Sequence, residues 1–420
     1  MGRKIQAVKG TRDLLPPDTA VWTAVERAAR ETFGAYGYSE IRTPILEDTE
    51  LFVRSVGEST DIVGKEMYTF ADRKGRSLSL RPESTASVAR AFVQHGMQSS
   101  PLPLKVYYIG PHFRYERPQK GRYRQFFQIG AELLGDAGPQ SDGEVILMLV
   151  RFLSVLGFEG LVVQLNTVGD EESRQAYKEG LLEFLDPHRE ALSPDSQRRL
   201  DSNPLRILDS KDPADHAVLE GAPRLESFLN DESARHFEAV CSMLDRHEVA
   251  YSVEPRLVRG LDYYTRTVFE IIAEGLGAQD AIVGGGRYDG LVEELGGQPL
   301  PGIGFAIGED RLIAVLPESF RSRALQNSLL TVAAVPPVSA AEAVVLGEEL
   351  RSAGFAVLAE LADRSVRSAL KRADRAEVRW VVLLGEQELA AGTVTVRDLG
   401  KGSQETMPRE DLANYLRRAE

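Results

Sequence analysis

The stretch KVYYIGPHFRYERPQKGRYRQFFQIGAELLG, residues 105–135, indicates the fold most directly. Apolar and polar side chains alternate along both of its halves, which is the pattern of antiparallel β-strands, and the Pro-Gln-Lys-Gly tetrad between them is typical of a turn. Residues 114–126 also carry five basic side chains, in a chain whose net charge is −13. An exposed edge strand protected by charge explains these positives as well as an anion-binding site does, so both interpretations stand at this point.

The returning half of this hairpin predicts a strand with one polar face. Gln128, Gly130 and Glu132 share that face, while the apolar residues between them point the other way. At ~3.3 Å per residue, Gln128 and Glu132 lie about 13 Å apart, and the glycine leaves an open floor between them. On the incoming strand, Arg114 and Glu116 are two residues apart and are predicted to share a face. The pattern favours a slot for a small molecule with a hydrogen-bonding group at each end.

Three other segments have the character of site material. SLRPESTA places Glu83 and Thr85 two residues apart beside a proline-fixed turn, and LVRGLDYYTRT places Arg259 in a glycine-containing loop before a strand. GIGFAIGEDRL runs a glycine-rich strand into a helix with Arg311 in its first turn. A cation there opposes the helix dipole, but together with the free backbone N–H groups it is well placed to bind an anion.

The order of elements predicts an α+β fold. A helix with one apolar stripe is expected over residues 18–33, with Asp18 as its N-cap. Helical patterns dominate residues 171–246, strands return at RTVFEIIAE and LPGIGFAIG, and the last part of the chain alternates strand and helix. We therefore predict an antiparallel sheet flanked by helices in residues 1–325, a helical insertion at about 171–250, and a small α/β domain at 328–420. This is not the order of a dinucleotide-binding fold.

Composition narrows the class of protein. The 420 residues contain no apolar run long enough for a membrane span, and the beginning of the sequence lacks the apolar core of a secretory signal, so we expect a cytoplasmic protein. One cysteine, Cys241, excludes an intrachain disulfide, and we predict a buried structural thiol. The histidines show no metal-ligand spacing, and no dedicated protein metal site is expected. A pI near 5.2 argues against sequence-blind coating of nucleic acid, but not against a local basic patch.

Over nearly its full length the chain resembles bacterial histidyl-tRNA synthetases, which are class II aminoacyl-tRNA synthetases. The resemblance is carried by KGTRDLLP, LRPEST, YIGPHFRYERPQKGRYRQF, LDSNPLRILDSKD, LVRGLDYY, GGGRYDGL and GFAIGEDRL, and by a tail similar to the anticodon-binding domain. The motif 2 arginine is Arg114 and the motif 3 arginine is Arg311. The family usually has Glu before the motif 3 arginine, whereas this chain has Asp310.

The resemblance implies a homodimer with a class II catalytic domain, a helical insertion and a C-terminal α/β anticodon-binding domain. It implies a reaction in two steps: L-histidine and ATP give histidyl-adenylate and pyrophosphate, and the histidyl group then moves to the terminal adenosine of its tRNA. The substrate carboxylate is the nucleophile, so the protein contributes positioning and charge stabilisation by arginines, with Mg²⁺ accompanying ATP.

The same resemblance implies the roles of the site residues. Histidine would be bound through its α-amino group by Glu83, Thr85 and Gln128, and through its imidazole by Glu132 and Tyr264 with Tyr263 beside them. The catalytic residues would be Arg114 and Arg259, which bracket the α-phosphate and carboxylate; ATP would also be placed by Glu116 and Arg122, and the far end of its triphosphate would be held by Arg311. Contacts with tRNA would come from Lys120, Arg124, Arg364, Arg367, Lys371 and Arg375.

Two alternative functions remain open, and so does the role of one basic helix. The regulatory subunit of ATP phosphoribosyltransferase is a non-acylating relative that lacks the anticodon-binding domain and typically loses active-site residues, whereas this chain keeps both. A nucleotide- or RNA-binding module without catalysis predicts nucleotide binding without pyrophosphate turnover. The basic residues at 364, 367, 371 and 375 have the spacing of one helical face, which fits either a solvated surface helix or a tRNA contact.

Overall fold

The two strands predicted around residues 105–135 form an antiparallel pair, Leu104–Phe113 and Gln125–Leu134, in the computed structural model. The structure describes residues 5–57, 60, 62–117, 121–202, 204–208, 210, 212–257, 263–273, 281–325 and 329–419, without the side chains of residues 202, 206 and 419. The chain divides into two units, Met1–Ala324 and Leu325–Glu420, and each is described by itself.

Strands of the first unit form two sheets in the described part of the chain. One sheet has eight strands in the order β1-β5-β6-β11-β10-β9-β7-β8, and the other has three in the order β2-β4-β3. Neighbours from β5 to β7 in the large sheet are antiparallel, and the outer pairs β1/β5 and β7/β8 are parallel. The strands are β1 (Ser39–Glu40), β2 (Leu46–Asp48), β3 (Tyr68–Ala71), β4 (Ser77–Leu80), β5 (Leu104–Phe113), β6 (Gln125–Leu134), β7 (Val162–Thr167), β8 (Tyr251–Val253), β9 (Thr265–Ile272), β10 (Val283–Arg287) and β11 (Gly302–Gly308).

Helices flank these sheets, as the sequence predicts. The helix expected at 18–33 runs over Asp18–Ala35, and its apolar stripe is buried. The predicted cap is wrong by one position, because Pro17 occupies the N-cap and Asp18 is the first helical residue. The helices of this unit are α1 (Asp18–Ala35), α2 (Thr49–Val56), α3 (Thr85–Gln94), α4 (Pro139–Val155), α5 (Glu171–Leu185), α6 (Pro194–Ser202), α7 (Pro213–Leu219), α8 (Asp231–Arg246), α9 (Leu291–Glu294), α10 (Glu309–Ala314) and α11 (Glu318–Leu325).

The main core lies between one face of the large sheet and helices α1, α4 and α8. Phe33 of α1 is fully buried there, with ring centroids 5.4 to 5.8 Å from those of Tyr107, Phe152 and Phe305. The apolar face of β6 points into this core. Its polar face is therefore directed to the opposite side of the sheet, as predicted. Cys241 packs against the same core but is half-buried rather than buried.

The helical segment that follows β7 has a core of its own. Tyr177, Leu181 and Leu185 of α5 pack with residues from α6, α7 and the short turns between them. The last helix, α8, instead contributes Val240 and Leu244 to the main core beside α4. A four-helix stretch therefore lies between two neighbouring strands of the large sheet, β7 and β8.

The second unit is a small α/β structure. Its five-stranded sheet has the order β13-β12-β14-β15-β16, with parallel pairs on either side of β12 and antiparallel pairs beyond β14. This agrees with the predicted alternation of strand and helix. The elements are β12 (Leu330–Ala334), α12 (Ala340–Ser352), β13 (Val357–Ala359), α13 (Val366–Arg375), β14 (Trp380–Leu384), α14 (Glu386–Ala391), β15 (Thr393–Asp398), β16 (Ser403–Pro408) and α15 (Leu412–Ala419).

Candidate active site

Glycines lie beside Gln128 and Glu132 on the polar face of the large sheet. Gln128 of β6 pairs with Gly110 and Gly308 on the neighbouring strands, and Glu132 pairs with Val106 and Gly304. Paired residues of adjacent antiparallel strands direct their side chains to the same face. A Cβ atom on Gly304 would overlap the carboxylate of Glu132, which lies across that glycine. The glycines therefore give the longer side chains room to lie along the sheet.

The expected open floor at Gly130 is wrong. Tyr108 of β5 pairs with Gly130, and its ring lies so close that a Cβ atom at Gly130 would overlap it. The glycine accommodates a tyrosine of this chain rather than a ligand. The sequence could not indicate this, because the register that joins the two strands depends on tertiary packing.

Glu132 forms the buried end of the site. Its side chain is fully buried and accepts hydrogen bonds from the hydroxyls of Thr85, at 2.7 Å, Tyr108, at 3.4 Å, and Tyr288. Burial raises the pKa of Glu132 to about 8, although the three hydroxyl contacts act in the opposite direction. This carboxyl group can accordingly gain or lose a proton near neutral pH.

Aromatic rings enclose this end. The ring centroids of Tyr263 lie 4.8 Å from Tyr264 and 5.7 Å from Tyr288, and the Tyr264 ring packs against Gly286 of β10. Tyr263 and Tyr288 are buried, and burial raises the pKa of both hydroxyls well above the usual value. Both phenols therefore stay neutral, and the Tyr288 hydroxyl donates to Glu132.

Glu83 and Thr85 lie where α3 begins. The Glu83 carboxylate accepts hydrogen bonds from the backbone N–H groups of Thr85, at 2.7 Å, and Ala86, at 3.1 Å, so it satisfies two donors at the helix N-terminus. Burial nevertheless raises the pKa of Glu83. The hydroxyl of Thr85 reaches Glu132, so this helix terminus contacts the Glu132 end of the predicted slot.

Gln128 connects the buried end to an open cavity. Its Oε1 atom is buried and has no hydrogen-bond partner among the described residues. A buried acceptor without a partner is costly, and it is the kind of atom that a bound ligand satisfies. Gln128 also lines the adjoining cavity, which has a volume of about 300 Å³.

That cavity gathers the predicted ATP-binding residues. Its lining includes all four of them, Arg114, Glu116, Arg122 and Arg311. Arg114 donates from Nε to the carbonyl of Pro82 at 3.0 Å, and its guanidinium carbon lies 5.3 Å from the Phe126 ring centroid.

One part of the hairpin prediction is wrong. Strand β5 ends at Phe113, so Arg114 and Glu116 belong to the loop that follows it rather than to the strand. They still reach the same cavity, and Glu116 forms an ion pair with Arg122 at 3.5 Å. The loop between β5 and β6, rather than strand alternation, therefore brings Arg114 and Glu116 to the same cavity.

Two of the predicted contacts lie outside the described residues: Arg259 and Lys120. A third, Arg124, is engaged within the chain, because its guanidinium carbon lies 3.9 Å from the Tyr115 ring centroid and its Nε donates to the carbonyl of Glu116 at 3.4 Å.

The predicted basic face of the second unit is shorter than expected. Helix α13 begins at Val366, because the Ser365 side chain caps its N-terminus, so Arg364 precedes the helix and pairs with Glu360 at 3.5 Å. The other three predicted tRNA contacts lie in α13 and are exposed: Arg367, Lys371 and Arg375.

A family model described as Histidyl-tRNA synthetase matches residues 10–312, and one described as Anticodon binding domain matches residues 331–419. The chain belongs to the histidyl-tRNA synthetase family. The Histidine--tRNA ligase of Alkalilimnicola ehrlichii is 50% identical over 419 residues, covering 100% of this chain and 97% of that protein. The ligase of Koribacter versatilis is 49% identical over 430 residues, covering 98% and 96%.

A solved structure supports the same family. The apo histidyl-tRNA synthetase of S. aureus has a TM-score of 0.82 at 37% identity, covering 98% of this chain and 100% of that chain. A Bacillus halodurans protein described as an ATP phosphoribosyltransferase regulatory subunit/histidyl-tRNA synthetase has a TM-score of 0.65 at 23% identity, which shows a shared fold alone. The predicted family and α+β fold are confirmed, and the ligase is favoured over the regulatory paralogue.

Two residues of this synthetase site were missed by the sequence analysis, Tyr108 and Tyr288. Both hydroxyls contact Glu132, and both residues stand in stretches that were already noted, KVYYIG and GGGRYDGL. Tyr108 is an even number of residues from Gly110 on one strand, so its face follows once Gly110 is placed. Tyr288 had no comparable signal, since it comes directly after β10 and reaches Glu132 only because β11 lies between β10 and β6.

Proposed function

We propose that this protein is a histidine–tRNA ligase. It activates L-histidine with ATP to histidyl-adenylate and pyrophosphate, and it then transfers histidine to the 3′ terminal adenosine of its tRNA. The observation that carries the proposal is the arrangement along β6. Glu132 is enclosed by hydroxyls at one end, and four residues earlier Gln128 opens onto a cavity lined by Arg114 and Arg311.

Selection of the amino acid belongs to the buried end. A carboxyl group with a pKa of about 8 can accept from an imidazole N–H as carboxylate, or donate to an unprotonated ring nitrogen as acid. The Glu132 group and the neighbouring Tyr264 hydroxyl then contact the ring, with Tyr263 packed behind. An apolar side chain in this place could not form a hydrogen bond with Glu132 or Tyr264, and a site built to hydrogen-bond its substrate discriminates by ~10⁴ or more.

The α-amino group belongs between Glu83, Thr85 and Gln128. An ammonium group has three donors, and the unpartnered Oε1 of Gln128 together with the Glu83 carboxylate offers acceptors for them. Glu83 already binds two backbone N–H groups, so its position is fixed before the substrate arrives. This preorganisation orients the substrate carboxylate toward the cavity.

Activation itself belongs to the arginine-lined end. An oxygen of the histidine carboxylate forms a bond to the α-phosphorus, and the bond from that phosphorus to the bridging oxygen breaks and releases pyrophosphate. Arg114, together with Arg259, stabilises the charge on the α-phosphate and carboxylate, and Arg311 holds the far phosphates. Glu116 and Arg122, joined as an ion pair, place the nucleotide.

Mg²⁺ accompanies ATP in this proposal. Among the described residues no group of three or more His, Cys, Asp or Glu side chains could hold a metal ion by itself. Mg²⁺ is commonly bound by one or two carboxylates together with substrate phosphates, and the cavity lining offers Glu116 and Glu270. The ion would neutralise phosphate charge while the protein residues keep the nucleotide in place.

The remaining proposals concern domains and partners. We assign activation to residues 1–325, with an insertion at about 171–250, and tRNA recognition to 328–420. The exposed basic residues of α13, with Arg364, Lys120 and Arg124, are proposed to contact tRNA. A homodimer and a cytoplasmic location are proposed from the resemblance and the sequence; in the described part of the chain, every helix is too short or too polar to cross a bilayer.

The deciding experiment is ATP–pyrophosphate exchange with each of the twenty amino acids and Mg²⁺, in the absence of tRNA. Exchange that depends on histidine alone is expected, and charging of the cognate tRNA then follows as the second assay. Folded protein that binds ATP but gives no exchange would favour the regulatory relative or a binding module. Exchange with a different amino acid would mean that the buried end is misassigned.

A further inference from the structure

The segment that precedes α1 packs against the hairpin loop of the cavity. The backbone N–H of Arg124 donates to the carbonyl of Gly10 at 2.7 Å. Gly10 has a φ of 89°, and a Cβ atom there would come within 2.7 Å of the Arg124 side chain. Only glycine fits this conformation and this contact without strain. Gly10 therefore anchors the segment beside residues 121–124, and Arg12 follows Gly10 by two residues.

Arg12 contacts two residues that line the cavity without lining it itself. Its Nη2 atom lies 2.7 Å from Oδ1 of Asp310, and its guanidinium carbon lies 4.3 Å from the ring centroid of Tyr123. Both residues belong to the cavity lining, Asp310 from α10 and Tyr123 from the loop that precedes β6. The guanidinium carbon also lies 5.8 Å from the ring centroid of Trp22 on α1.

Asp310 links Arg12 to both α10, in which it lies, and β6, which it contacts. Its second oxygen, Oδ2, accepts from the backbone N–H of Phe127 at 2.9 Å. Phe127 precedes Gln128, and Asp310 precedes Arg311. The side chain of Asp310 is only 4% exposed, whereas that of Arg12 is 39% exposed. Among the described residues, Arg12 thus supplies a positive partner to this buried carboxylate.

We propose that Arg12 is a positioning residue for the ATP site. It acts through Asp310 and Tyr123, and it fixes the start of α10, where Arg311 stands, relative to Phe127 on β6. The inference rests on the proposed function, since it assigns the cavity to ATP. The positioned residues serve ATP more than histidine, because Asp310 and Tyr123 line the cavity and neither contacts Glu132.

The test uses steady-state ATP–pyrophosphate exchange on the full chain, with KM measured separately for ATP and for histidine. Arg12→Ala is expected to raise KM for ATP roughly tenfold or more, because hydrogen bonds to charged groups are the strong ones. KM for histidine is expected to stay within about twofold. Arg12→Lys retains the charge but loses the planar fork and the ring contact, so an intermediate value is expected.

Asp310→Asn should reproduce the ATP defect, since it removes the charge that Arg12 neutralises. The double variant should be no worse than the poorer single variant, because the two side chains act as one unit. Arg189→Ala is the matched control. Arg189 is 41% exposed and binds Asp201 at 2.8 Å, but this pair lies in the insertion and both partners are exposed. No change in either KM is expected for it.

The outcomes separate this inference from the proposed function. Histidine-dependent exchange by the unmodified chain keeps the function, and the variants then judge Arg12 alone. Equal rises in both KM values, or a lowered melting temperature with an unchanged KM for ATP in Arg12→Lys and Asp310→Asn, would overturn the positioning role. Absence of exchange in the unmodified chain would overturn the function and the inference together.

Discussion

The two ends of the proposed site solve different problems with different side chains. At the ring end, Glu132 is completely buried and is surrounded by hydroxyl groups within a cluster of tyrosines. At the phosphate end, Arg114 and Arg311 border a cavity of about 300 Å³. Buried hydrogen-bonding groups discriminate between substrates by shape and pairing, whereas cations that line an open cavity attract and align a polyanion. The difference indicates that selectivity and positioning are separable by substitution.

The largest effect is expected at the ring end. Glu132→Gln keeps the volume but removes the titrating group, and we expect kcat/KM for histidine in pyrophosphate exchange to fall by roughly 10³-fold or more, because a mismatched buried hydrogen-bond set is costly. The measurement is exchange kinetics, with the melting temperature recorded in parallel. Glu47→Gln is the matched control, because Glu47 is also buried but pairs with Arg90 outside the site. A comparable loss of activity in both variants would contradict the assignment.

The next effect is expected at the phosphate end. Arg114→Ala should lower kcat by about 10²- to 10³-fold, the range seen when one donor to a developing charge is removed. KM for histidine should change little, since Arg114 does not contact Glu132 or its hydroxyl partners. Single-turnover formation of the adenylate measures this step directly. A histidine-specific rise in KM, with kcat unchanged, would mean that the two ends are not separable as argued.

Glu309 offers a contrast with Glu132 away from the substrate. Its side chain is fully buried at the start of α10, and neither carboxylate oxygen has a hydrogen-bond partner among the described residues. Burial raises the pKa of Glu309 well above 4.5, with the nearby Glu26 and Asp310 acting in the same direction and Arg30 against it. A buried carboxyl with several partners marks the site, whereas one without partners is a cost to stability.

Glu309→Leu should therefore stabilise the protein by roughly 1–3 kcal/mol near pH 7. The folded state keeps the Glu309 proton while the unfolded chain releases it above about pH 4.5, so the free energy of unfolding falls as pH rises and levels off above the folded pKa. The advantage of the variant should accordingly grow with pH. Urea denaturation at pH 5, 7 and 8.5 checks this. An advantage that stays constant or shrinks with pH would indicate that Glu309 is ionised in the fold.

The sequence alone predicted those parts of the site that depend on local periodicity. Strand alternation placed Gln128 and Glu132 on one face, and the structure confirms it. It did not predict which tyrosines surround Glu132, because Tyr108 and Tyr288 arrive from β5 and from beyond β10, and register across strands is set by tertiary packing. The open floor at Gly130 was wrong for the same reason. The burial of Glu309 could not be predicted either, since the position reads as an ordinary acidic residue in a first helical turn.

The smallest effect is expected in the second unit, which sharpens the comparison by separating tRNA transfer from activation. Arg367→Ala combined with Lys371→Ala removes two exposed positive charges one turn apart on α13. If they bind phosphates, KM for tRNA in aminoacylation should rise about three- to tenfold, and the salt dependence of tRNA binding should weaken by close to two charges. Pyrophosphate exchange without tRNA should be unchanged. Arg397→Ala together with Lys401→Ala, which lie around the turn from β15 to β16, is the paired control. An equal rise in KM for both pairs would point to general charge attraction, because a specific contact surface requires that position matters as well as charge.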